Sequence, residues 1–134
     1  MFRIIFFIGC LSLVVLSNKV HGQSINYNFE AHIANYKKCI KKEYLIVQKG
    51  IGCKFLGNYN YDYHAPCRIS SYSLIILRGD TIKYVTQEHS PFFSEKTKEE
   101  FDKLQVGDII LIYDIFIQTA ENNEKVSSVL YDIM

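Results

Sequence analysis

Leu104-Gln105-Val106-Gly107-Asp108-Ile109-Ile110-Leu111-Ile112-Tyr113-Asp114-Ile115-Phe116-Ile117-Gln118 is the stretch whose reading decides the fold. Val106-Gly107-Asp108 is a turn signal. Ile109 to Ile112 follow with no polar break. β-branched side chains lose little freedom in a pleated strand and pack well on both of its faces. A run apolar on both parities predicts a strand covered on both sides. From Tyr113 the pattern alternates, with Tyr113, Ile115 and Ile117 on one face and Asp114, Phe116 and Gln118 on the other. The stretch reads as the central strand of a small β domain.

Upstream, Thr97-x-x-Glu100 resembles a capping box, and Phe101 with Leu104 forms a short apolar stripe, so a helix is predicted near 97–104. Arg68 to Arg78 reads as a strand ending in Leu74-Ile75-Ile76-Leu77. Gly79-Asp80 turns the chain, and Thr81 to Thr86 returns as its hairpin partner. Val126 to Ile133 is a last strand, placed beside the central one. Toward the N-terminus, Gln23 to Ile33 alternates with strand period, Glu43 to Lys49 is a short helix or strand, and Cys53 to Tyr63 alternates again. Six or seven short strands with turn signals about every 8–12 residues predict a mainly all-β domain, an Ig-like β-sandwich with that one helix.

The chain has 134 residues, which suits one domain. Met1-Phe2-Arg3, the apolar run Ile4 to Leu16 and Val20-His21-Gly22 read as a signal peptide over 1–22, too short to span a bilayer comfortably. The single domain is then 23–134, exported to the periplasm or secreted, with no stable membrane insertion. Of 15 basic and 14 acidic residues, Arg3 and Lys19 leave with the signal, giving 13 against 14 and a net of −1. That balance excludes a strongly basic nucleic-acid binder. Cys39, Cys53 and Cys67 remain in the exported part. Two of them can pair in an oxidising compartment, with three pairings open.

No catalytic constellation is present. Gly50-Ile51-Gly52 lacks the following helix and Lys-Ser/Thr of a phosphate loop. Asp108 and Asp114, six apart on a strand, are about 20 Å apart, too far for a glycosidase pair. His64 and Cys67 have metal-like spacing without an obvious full ligand set, so no metal and no cofactor are expected. Tyr59, Tyr61 and Tyr63 alternate, which serves either as core or as a stacking platform. With His64 and the loop at Asn122 and Asn123, they form the candidate interaction surface.

Three stretches resemble a known family. Glu43 to Ile51 is similar to the first segment of the C-terminal domain of the gliding-motility protein GldM, from the type IX secretion machinery of Bacteroidota. Leu56 to Asp62 followed by Arg68 to Leu74 resembles its alternating aromatic-Asp strand and the next one. Phe101 to Ile115 resembles its helix, Gly-Asp turn and strand. Together they cover roughly Lys42 to Met134. The loop Thr119 to Lys125 departs from the pattern in lacking a Gly-rich turn. The resemblance implies an exported, free-standing, non-enzymatic module that contacts an envelope protein. A secreted small-ligand or glycan binder using Tyr59, Tyr61 and Tyr63 is the alternative.

Overall fold

The computed structural model describes residues 24–56, 67–119 and 122–134. Among them the chain runs β1 (Phe29–His32), β2 (Cys39–Ile40), α1 (Lys42–Leu45), β3 (Gly52–Phe55), β4 (Arg68–Arg78), β5 (Thr81–Glu88), α2 (Glu95–Asp102), β6 (Ile109–Gln118), β7 (Asn123–Val126) and β8 (Val129–Ile133). The fold is all-β with one short helix, plus the single turn of α1. Six strands form one sheet in the order β2-β8-β6-β4-β5, with β7 also paired to β6, and β1 pairs with β3 in a second, two-stranded sheet. The two sheets share one core, Ala31 and Ile33 packing with the large sheet's Leu74, Ile76, Ile110 and Ile112.

The hairpin β4–β5 closes Arg78 against Thr81. Gly79 takes the turn at φ +58°, where a side chain is disfavoured. β6 lies on the other side of β4. The path from β5 to β6 therefore crosses over the sheet, and α2 lies in that crossover. It buries Thr97 and Phe101, and Phe101 meets Phe93 edge-on at 4.9 Å. The helix starts earlier than the capping-box reading placed it. Ser94 is the cap, its Oγ accepting from the Thr97 backbone N–H. Thr97 is buried instead, its hydroxyl sharing hydrogen bonds with Ser94 and with Tyr84.

The turn before β6 is fastened by Asp108. Its carboxylate accepts from Arg78 Nε at 2.9 Å, Arg78 Nη2 at 3.0 Å and the Gln105 backbone N–H at 2.8 Å. The Arg78 hydrogen bonds hold the Asp108 carboxyl below the usual carboxylate range.

Two bulges set which way β6 faces. β4 carries one extra residue at Ser70, between Ile69↔Ile117 and Ser71↔Phe116. β6 carries one at Asp114, between Ser71↔Phe116 and Ser73↔Tyr113. Asp114 has φ +46°, a left-handed conformation that Asp tolerates better than most side chains. The bulge shifts the alternation by one. Ile110 and Ile112 face the core before it, and Ile115 and Ile117 after it. The pattern predicted Tyr113 on the face of Ile115 and Ile117. Tyr113 instead pairs with Ser73 on the opposite face, because the period of two does not survive an inserted residue.

The N-terminal strand is shorter than predicted, covering Phe29–His32, with Ile25 making an isolated bridge to Lys125. The segment after β1 is tied down by Tyr131 of β8. The Tyr131 hydroxyl accepts from the Ile33 backbone N–H at 2.8 Å and donates to the Tyr36 carbonyl at 3.0 Å. Gly50 permits a close crossing, since a Cβ there would lie 2.1 Å from the Pro91 carbonyl oxygen.

Candidate interaction surfaces

The large sheet has a second face, away from α2 and the core. Cross-strand register puts Val85, Ile75, Leu111 and Leu130 in one row across β5, β4, β6 and β8. The next row is Ile82, Leu77 and Ile109, ending at Asp132. Gln87, Ser73 and Tyr113 form a third, more polar row. Strands about 4.8 Å apart make the first row roughly 15 Å wide. Its ends are open to solvent, Val85 being 51% and Leu130 46% exposed, while Ile75 in the middle is 0% exposed. The pattern predicts a central strand covered on both sides. On β6 the core-facing Ile110 and Ile112 are buried and the outward Ile109 and Leu111 are half-buried, while the outward Ile75 and Leu77 of β4 are buried. Contiguous apolar area of this kind marks interaction surfaces in soluble proteins.

A polar cleft of about 420 Å³ lies where β7 meets the N-terminal segment. Asn26, Asn28, Asn122, Asn123 and Glu124 contribute amides and a carboxylate, and Phe116 contributes a ring. The Asn26 backbone N–H donates to the Lys125 carbonyl, which holds the N-terminal segment along the edge of β7. Asn26 Nδ2 donates to Glu124 Oε2 at 2.7 Å, and Asn26 Oδ1 accepts from the Asn28 backbone N–H. Ser70 Oγ, on the β4 bulge, lies 3.0 Å from Asn123 Oδ1 and 3.1 Å from the Phe116 carbonyl oxygen, and its single proton serves one of the two. Lys125 is buried beside the cleft, its ammonium 2.9 Å from Asp114 Oδ1 and 5.9 Å from the Phe116 ring centre. The two bulges thus aim Ser70, Asp114 and Phe116 at one end of the sheet.

A third hollow, about 470 Å³, is lined by His32, Val47, Gly50 and Phe92 among others. Burial leaves His32 Nδ1 without a hydrogen-bond partner.

Of the surface named from sequence, Asn122 and Asn123 both line the polar cleft. Tyr59, Tyr61, Tyr63 and His64 lie outside the described residues. Cys53 and Cys67 form a disulfide, and Cys39 is free and exposed on the edge strand β2. Asp108 and Asp114 do not act as a pair, since each has its own cation, Arg78 and Lys125. No cluster of three metal-ligating side chains occurs among the described residues. Among the same residues, no helix is long and apolar enough to cross a membrane. The open apolar face and the contributions of Asn26, Asn28 and Glu124 to the cleft were missed from sequence. Cross-strand register and a contact spanning 98 positions create them, and no local pattern encodes either.

A scan against protein-family models finds no match for the chain, and a search of curated proteins finds none either.

Proposed function

We propose that this chain is an exported, non-enzymatic protein-interaction module of the bacterial cell envelope, and that it binds its partner through the open face of the large sheet. The observation that carries the reading is the row Val85–Ile75–Leu111–Leu130, apolar across four strands and solvent-accessible at both ends. Burying such area is the main drive of protein association. Export is supported by the apolar run Ile4 to Leu16 and by the Cys53–Cys67 disulfide, which persists in oxidising compartments. The stretches resembling the C-terminal domain of GldM point to the same class of partner, a protein of the envelope.

The test places a photo-crosslinking amino acid at Val85, at Leu130 and, on the helix-covered side, at Lys96. One protein captured from cells at both Val85 and Leu130 but not at Lys96 supports the reading. It should disappear when Ile82 is changed to Asp. Equal capture at all three positions, or none at the sheet face, refutes it.

A further inference from the structure

We propose that the polar cleft between β7 and the N-terminal segment is a binding site for a neutral, polyhydroxylated ligand, a sugar ring of a glycan. This is separate from the sheet-face reading and does not depend on it.

Some polar groups of the cleft are committed to the protein and others are free. Asn26 is fully engaged, its amide nitrogen on Glu124 and its oxygen on the Asn28 backbone, so it fixes the wall rather than reading a ligand. Asn123 meets the Ser70 hydroxyl with one end of its amide, which leaves the other end for a ligand. The side-chain amides of Asn28 and Asn122 make no hydrogen bond among the described residues, and each offers two donors and an acceptor. Glu124 keeps Oε1 as an acceptor. A set of side-by-side donors and acceptors on planar groups matches adjacent hydroxyls, each of which donates once and accepts twice.

The charge selects against anions. Lys125 is the cation at the cleft, and Asp114 neutralises it at 2.9 Å. Glu124 is the other charged group, so the lining holds one carboxylate and one ammonium and no surplus positive charge. A phosphate, sulfate or carboxylate ligand would find that ammonium already paired with Asp114. A divalent cation would find a single carboxylate, fewer than such ions usually take. The apolar element is the Phe116 ring, half-buried and held by its cross-strand partner Lys125. An aromatic face beside hydrogen-bonding groups suits a sugar, which has apolar C–H faces and a polar rim. The volume, about 420 Å³, falls within the range of small-molecule sites, about 300–1,000 Å³.

The frame is built before any ligand arrives. The Thr119 backbone N–H and hydroxyl both donate to the Asn122 carbonyl, and the Asn122 N–H donates back to the Thr119 hydroxyl. Asn122 is thus tied to Thr119 and Asn123 stands at the start of β7, which lowers the ordering cost of binding.

The experiment is a titration of the purified protein, followed by amide NMR, with chitotriose, maltotriose and mannotriose, and with a sulfated trisaccharide as the anionic control. The expected result is saturable binding of at least one neutral trisaccharide, with shifts centred on Asn28, Asn122 and Asn123. Loss of one ligand hydrogen bond in Asn122→Ala should weaken it by about tenfold. Asn122 is exposed, so this variant should keep the parent fold, and an unchanged spectrum elsewhere checks that. Phe116→Ala should weaken it as much or more. The proposal is overturned by no saturable shift with any neutral sugar, by shifts centred on another surface, or by tighter binding of the sulfated control.

Discussion

Replacing Tyr131 by Phe removes one oxygen and keeps the ring. The ring is 1% exposed and sits in the core, so no cavity forms and no apolar contact is lost. What goes is the clamp between β8 and the segment after β1, two hydrogen bonds bridging 98 and 95 positions of sequence. The Ile33 N–H is the costly one. Ile33 is 0% exposed, so its donor is left without an acceptor, and a buried donor stranded in this way costs about 1–3 kcal/mol. Tyr36 is half-exposed, so its carbonyl can take water and adds only about 0.5 kcal/mol. The expected loss is about 2 kcal/mol. With a urea slope of about 1.5 kcal/mol/M, the midpoint should fall by roughly 1–1.5 M with the slope unchanged. Hydrogen exchange at the Ile33 amide should quicken together with that shift. Tyr84→Phe is the control. It removes a hydroxyl whose partner, Thr97 Oγ1, keeps a bond to Ser94, so its midpoint should move by less than half as much. A Tyr131→Phe midpoint within about 0.3 M of the parent would refute the clamp, since the lost donor alone predicts more than that.

Two further outcomes follow from the same contacts. Reducing the Cys53–Cys67 disulfide opens a loop of 14-residue separation, and the loss should be about 3 kcal/mol by urea titration with and without reductant, while Cys39→Ser changes nothing in either state. Burial pushes the phenols of Tyr72, Tyr113 and Tyr131 up from their ordinary value. The unfolded chain therefore releases these protons first as pH rises, so the stability is intact below pH about 10 and falls above it, and alkaline melts of Tyr131→Phe should show a shallower decline than those of the parent.

The all-β class was legible because the strands that define it are long and local in pattern. Arg68–Arg78 appears with the bounds read from sequence, and Thr81–Glu88 runs two residues beyond its reading. Gly79 marks the turn between them. The helix was found but displaced, since Ser94 and Thr97 are both acceptable caps on chemistry alone. Thr97 is excluded only because Tyr84 and the core take up its side chain. The register beyond Tyr113 was not legible at all. An inserted residue shows no sign in composition, and Asp at a left-handed position is permitted but not required. That one bulge puts Phe116, and Asp114 that pairs with the Lys125 ammonium, at the cleft end of the sheet while returning Ile115 and Ile117 to the core.

The reading of Ile109 to Ile112 as a strand covered on both sides meets a graded pattern, with Ile110 and Ile112 buried and Ile109 and Leu111 half-buried. Ile75 is 0% exposed although it points away from the core. Its neighbours in the row, Val85 and Leu111, and Leu77 two residues along β4 stand beside it. Exposure rises away from the middle of the row, to about half at Val85 on the edge strand β5 and at Leu130 on β8. The exposed apolar ends of the row are what remains for a partner to cover.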